Sequence, residues 1–160
     1  MTRLIILLPF ALAACGESAA PPAPKAAALQ PGLYEVTSEI VSVTPADDGP
    51  SRAHFKAGDT GSEQVCIAAA NKDGIPPKAL AGVLGEGCQA SALMLPSGNI
   101  TGQYSCKPPK LGGDMSVTVR GTHTADSFET TSDAATMLPT SGDVTAVARA
   151  SGRRVGACAS

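Results

Sequence analysis

The sequence predicts an all-β domain: a single curved antiparallel meander of about seven or eight strands, with one short helix. Three features carry that reading. Between Cys88 and Cys106, Pro96-Ser97-Gly98 has the chemistry of a three-residue hairpin loop, Pro setting φ for a type I turn and Gly accepting the left-handed position after it. From Met115 to Thr124, apolar Met115, Val117 and Val119 alternate with polar Ser116, Thr118, Arg120 and Thr122, the period of a half-buried strand. Last, Thr140-Ser141-Gly142 reads as another hairpin loop, setting Val144, Ala146, Ala148 and Ala150 on one face of a closing strand.

Each element follows in order. Pro31 to Val43 reads as the first strand, with Tyr34, Val36 and Ile40 on one face. Thr44 to Gly61 is polar and rich in Gly, Asp and Pro, so an exposed loop is expected, followed by a short second strand at Gln64-Val65-Cys66-Ile67. Pro76 to Leu84 has prolines where a helix starts and apolar Leu80, Val83 and Leu84, which predicts the one short helix, weakened by Gly82. Counting outward from the Pro96 loop pairs Leu95 with Asn99, Met94 with Ile100, Ala92 with Gly102, Ala90 with Tyr104 and Cys88 with Cys106. Turning at Ala125-Asp126 sets Phe128 opposite His123 and leaves Arg120 diagonal to Glu129 and Asp133. A meander of that length curls into a barrel, a half-barrel or a strongly twisted sheet, and the residues leave closure open.

The chain start is of a different kind. Arg3 precedes an unbroken apolar run from Leu4 to Leu12, too short to span a bilayer and followed by small residues, which is the order of an export signal. Leu12-Ala13-Ala14-Cys15 resembles the lipobox of bacterial lipoproteins, in which the chain is cut before a diacylated cysteine; the alternative is an ordinary secretory signal cleaved at Ala-x-Ala. The expected organisation is therefore a signal peptide over 1–14, an acylated tether over 15–29 and a β domain over 30–160. Multiple acyl chains on Cys15 make membrane attachment nearly permanent, and Gly16 resembles the sorting signal for the outer membrane, periplasmic face. The proline-rich tether reaches at most about 40 Å from the bilayer.

With Cys15 given to lipid, Cys66, Cys88, Cys106 and Cys158 remain, an even number in an exported chain. The hairpin register selects Cys88 to Cys106 and leaves Cys66 to Cys158. No Cys-x-x-Cys pair supports zinc, and no metal or cofactor is expected. Such staples suit a lean core: 43% of the 160 residues are hydrophobic, mostly Ala and Val, with no Trp.

No element of catalysis is assembled. Asp59-Thr60-Gly61 spells an aspartic protease triplet but lies in a polar run and reads as a turn. His54 and His123 lack a nucleophile elbow, and His123 reads as packed beside Phe128. Arg153 and Arg154 read as a solvated strand end, the alternative being a hold on an anionic head group or a partner's carboxylate. Asn99-Ile100-Thr101 matches a glycosylation acceptor that a bacterial lipoprotein makes irrelevant. A formal charge of −2 without a basic cluster argues against nucleic acid.

Several separated motifs resemble a family of small exported bacterial proteins known as domain of unknown function 3617. Its members typically open with Pro-Gly-Leu-Trp-Glu-Val-Thr, here Pro31 to Thr37 with Tyr34 in place of Trp, and carry a cysteine in a short strand as at Val65-Cys66-Ile67. A later cysteine pair like Cys88 and Cys106, a turn like Asp126-Ser127-Phe128-Glu129, and a closing Ser151-Gly152-Arg153-Arg154-Val155-Gly156-Ala157-Cys158 complete the likeness. The resemblance implies no activity. The expected function is thus a non-catalytic, lipid-anchored envelope protein acting by binding or structural support, with an envelope protein as its partner. The alternative is a carrier holding a small apolar ligand in a pocket lined by Ala, Val, Met94, Ile100 and Tyr104.

Overall fold

The computed structural model describes residues 27–159, so the predicted signal peptide, Cys15 and most of the tether lie outside the described residues. The strands are β1 (Gly32–Pro45), β2 (Thr60–Ile67), β3 (Cys88–Met94), β4 (Asn99–Cys106), β5 (Asp114–His123), β6 (Ser127–Met137) and β7 (Val144–Gly156). They form one antiparallel sheet in the order β2-β1-β7-β6-β5-β4-β3, curled into a half-barrel. β2 and β3 are its two edges, which answers the question of closure: the sheet does not close into a barrel.

Alternation builds the concave face. Tyr34, Val36 and Ile40 of β1, Ile100 and Tyr104 of β4, and Val117 and Val119 of β5 are all buried, as are Val144, Ala146, Ala148 and Ala150 of β7. The small β7 side chains leave room, and the helix fills it. α1 (Pro77–Ala81) starts at its proline and runs into a 3₁₀ turn over Gly82–Gly85, nine residues in all. Its Ala79, Leu80, Ala81 and Leu84 are buried against the sheet; burying each leucine contributes about 2 kcal/mol. Two buried hydroxyls hold it there, Thr130 Oγ1 donating to Leu80 O at 2.7 Å and Ser132 Oγ to the same oxygen at 3.4 Å. Gly82 permits the approach, since a Cβ there would lie 2.3 Å from Ser38 Cβ.

The β3–β4 hairpin corrects part of the expected register. Cys88 faces Cys106 and Ala90 faces Tyr104, but a bulge at Ser91 shifts the remainder by one, pairing Ala92 with Gln103, Leu93 with Gly102 and Met94 with Thr101. Met94, expected inside opposite Ile100, is 60% exposed. The reason is Gly102: the space a Cβ would take there lies 3.2 Å from both Leu93 Cδ1 and Tyr104 Cε2, so Leu93 fills a gap that Ala92 would leave empty. Pro96–Gly98 forms a 3₁₀ turn, with Ser97 as well as Gly98 in the left-handed region.

Three other boundaries differ from expectation. The connection read as a three-residue loop at Thr140-Ser141-Gly142 runs over the six residues 138–143 between β6 and β7, with Leu138 N–H bonded to the Asp143 carboxylate instead of continuing the ladder. β1 extends to Pro45 and β2 begins at Thr60, both inside the stretch read as loop, because Ile40 N–H donates to Asp59 O and Gly58 N–H returns to Ile40 O, each at 2.8 Å. The remaining loop is pinned rather than loose. Asp47 accepts from the backbone N–H groups of Gly49, Gly142 and Asp143, and these bonds hold its carboxyl below the usual carboxylate range. Phe55 from the same loop packs against the core, where the void between Phe55, Leu84 and Met115 measures about 10 Å³, room for one water at most.

Both disulfides are present, Cys88–Cys106 across the hairpin and Cys66–Cys158 closing a separation of 92 residues. Because Leu33 faces Cys66 on one side and Gly156 on the other, the second bridge reaches across β1 and ties the last strand to an edge.

Candidate functional site

The outer face is polar, and its register places two rows of exposed side chains across the middle of the sheet. One row runs Thr60, Glu39, Arg149, Thr131, Arg120; the next runs Ser62, Thr37, Ser151, Glu129, Thr122. Between them lies an open hollow of about 830 Å³ spanning five strands, and a second of about 590 Å³ adjoins it toward Glu35 and Arg153. The rows come from period-two polarity: Glu35, Thr37 and Glu39 on β1 face Arg153, Ser151 and Arg149 on β7. Thr37 Oγ1 and Ser151 Oγ lie 3.0 Å apart in a hydrogen bond, and Arg120 pairs with Asp133 at 3.3 Å, an exposed contact worth under about 1 kcal/mol. Glu129, the other expected neighbour of Arg120, is not bonded to it. Glu39, Glu129 and Arg149 make no ion pair with another described residue.

Three motifs far apart in sequence meet at one corner of the sheet. Gln30 N–H donates to Ala125 O and Arg154 N–H to Asp126 O, each at 2.8 Å; Arg154 Nε–H donates to Pro31 O at 2.9 Å. Tyr34 hydroxyl donates to Gln30 O at 2.7 Å, and its ring lies 5.8 Å from that of Phe128. Burial raises the Tyr34 pKa, the charge of Asp126 adds to the rise, and Arg154 opposes it. Phe128 lies across Gly152, where a Cβ would stand 2.2 Å from Phe128 Cζ. These motifs therefore do a structural job: they fasten the chain's entry into the sheet to the β5–β6 turn and the end of β7.

The histidines are not brought together. His54 is exposed and stacks edge-on against Phe55 at 5.5 Å, beside a hollow of about 480 Å³ that Asp59, Glu63 and Glu86 also line. It makes no hydrogen bond to those carboxylates; Asp59 accepts from Lys56 N–H at 2.8 Å and so closes the turn before β2. Thr60 and Gly61, expected in that turn, are instead the first residues of the strand, because they pair with Glu39 and Ser38. His123 is buried opposite Phe128; its Nδ1 lies 3.1 Å from Thr124 O and its Nε2 has no partner. Arg153 and Arg154 separate into different roles, Arg154 fastened to Pro31 O and Arg153 exposed at the second hollow. Tyr104, expected to line a ligand pocket, is packed into the core with its hydroxyl unpartnered, and burial pushes its pKa up to about 12. The sequence reading did not single out Glu39, Thr131 or Arg149. Their alternation was visible, but that they share a row depends on β1 pairing with β7, a contact between the two ends of the chain.

No curated protein and no solved structure matches the chain. One family profile does, over residues 29–158, and those bounds enclose the corner motifs, both disulfides and the whole sheet. The chain therefore belongs to the family described as protein of unknown function, DUF3617.

Proposed function

We propose that the protein is a non-catalytic envelope module, anchored by acyl chains on Cys15 to the outer membrane and facing the periplasm, that acts through the polar outer face of its sheet. The observation that supports this reading is the filled concave side: α1 and Phe55 occupy the space in which a carrier would hold its ligand. Room is left on the outside, in the hollows over β5, β6, β7 and β1. The histidines fit a module without chemistry, since neither has a hydrogen-bonded carboxylate to orient it.

A photo-crosslinking residue at Thr131, on the outer face, and another at Tyr104, in the core, test this in intact cells. The module reading expects capture of an envelope component from position 131 and none from 104. Stoichiometric release of a small apolar molecule on denaturing protein purified from its host would support the carrier and overturn the module.

A further inference from the structure

The outer hollow is long, nearly neutral and lined mostly by polar and charged residues, whose methyl groups and aliphatic stems share its surface with their polar atoms. Two guanidinium groups, Arg120 and Arg149, and two carboxylates, Glu39 and Glu129, line it, and with Asp133, the partner of Arg120, they leave one excess negative charge and no positive one. Hydroxyls of Thr and Ser make up most of the remaining lining. It crosses five strands, hence about 19 Å at the usual strand spacing. Every described aromatic side chain lies elsewhere: Tyr34, Tyr104 and Phe128 are in the core and Phe55 is on the loop below.

Each property excludes a class of ligand. A nucleic acid requires a net positive surface, which these charges do not supply. The buried centre of a protein interface is built on aromatic and large apolar anchors, and the lining of the hollow has none, Met137 and Val155 lying on the same face but outside it. A lipid tail needs apolar walls. What such a surface offers is many donors and acceptors in fixed rows, with Glu39 and Arg149 adjacent across the β1–β7 ladder and not joined in an ion pair. Side chains of this kind bond pairs of neighbouring hydroxyls, a carboxylate accepting from two and a guanidinium donating to two.

We infer that the outer hollow binds an uncharged, polyhydroxylated chain, a glycan, laid across the strands between the two rows. This rests on the module reading and names the ligand class of the same face. Without a ring to stack upon, binding to one short oligosaccharide is weak and depends on repeated contact along a polymer.

The test uses the purified full-length protein and four soluble probes: chitotetraose and cellotetraose as neutral glycans, tetragalacturonate as an acidic one, and an acidic tetrapeptide. Saturable binding of a neutral tetrasaccharide in the millimolar range, read by chemical-shift changes at β1, β6 and β7 amides, is expected. Combining Arg149→Ala with Glu39→Gln should weaken it by about tenfold or more with an unchanged unfolding midpoint, because both side chains point to solvent. Met137→Ala, outside the hollow, should leave binding as it is. The inference is overturned if no neutral glycan binds, if only the acidic probes do, or if the double variant binds as well as the parent. In each of those cases a crosslink from Thr131 to an envelope protein would leave the module reading standing.

Discussion

Gly152 gives the sharpest test of how the corner is built. A Cβ at this position would lie 2.2 Å from Phe128 Cζ and 2.3 Å from Cε1, where carbon atoms normally meet at about 3.5 Å or more. The ring cannot step aside cheaply: Phe128 is buried, sits against Tyr34, and is paired with His123 on its other flank. Gly152→Ala should therefore behave as overpacking, at a cost of about 2–3 kcal/mol despite the higher strand propensity of alanine. Phe128→Leu alone removes ring contacts and should cost a comparable amount. In the double variant the shorter side chain makes room for the new methyl, so the sum of the single costs should exceed the measured one by at least about 1 kcal/mol. Urea titration in non-reducing buffer measures all three, provided the slope stays constant. A Gly152→Ala cost below about 0.5 kcal/mol, or strict additivity with Phe128→Leu, would refute the steric account of the closing motif.

Three more outcomes follow from single observations. Tyr104→Phe removes a buried hydroxyl without a partner and should stabilise the domain by about 1 kcal/mol, raising the melting midpoint by a few degrees; a fall would mean that the hydroxyl has a partner after all. Cys88→Ser with Cys106→Ser should cost about 3 kcal/mol in the chain-entropy picture, and an unchanged midpoint in non-reducing buffer would remove the hairpin bridge from the account. Asp47→Asn should destabilise at pH 7 and do so less as the pH falls. The Asp47 carboxyl titrates lower when folded than when unfolded, so its contribution is present above the ordinary carboxylate range and lost as pH drops through the folded value. A difference between variant and parent that grows on acidification would contradict that sign.

The sheet was legible wherever polarity alternated and a turn carried its own chemistry. The β5–β6 hairpin is the clearest case, with His123 against Phe128, and the inward row from Val144 to Ala150 is another. What failed did so for a local reason: the Pro96 loop and the cysteine pair define consistent ends of β3, but a bulge between them absorbs one residue, and nothing in Gln89-Ala90-Ser91-Ala92 announces it. Helix formation at Pro77 was readable from its prolines, whereas its seat inside the half-barrel depends on the small side chains of β7, about seventy positions later. The outer rows were the least visible. Thr, Ser, Glu and Arg on alternating positions read as a solvated strand face, and only the pairing of the first strand with the last brings Glu39 beside Arg149.

The central claim is that this chain leaves the cytoplasm, gives one thiol to lipid and gives the other four to two bridges. Intact mass and non-reduced peptide mapping of protein purified from its native host test it most directly. The account predicts an acylated amino terminus at Cys15 and two linked peptide pairs, Cys66 with Cys158 and Cys88 with Cys106. Free thiols at those four positions, or a chain that still begins at an unacylated Met1, would contradict it.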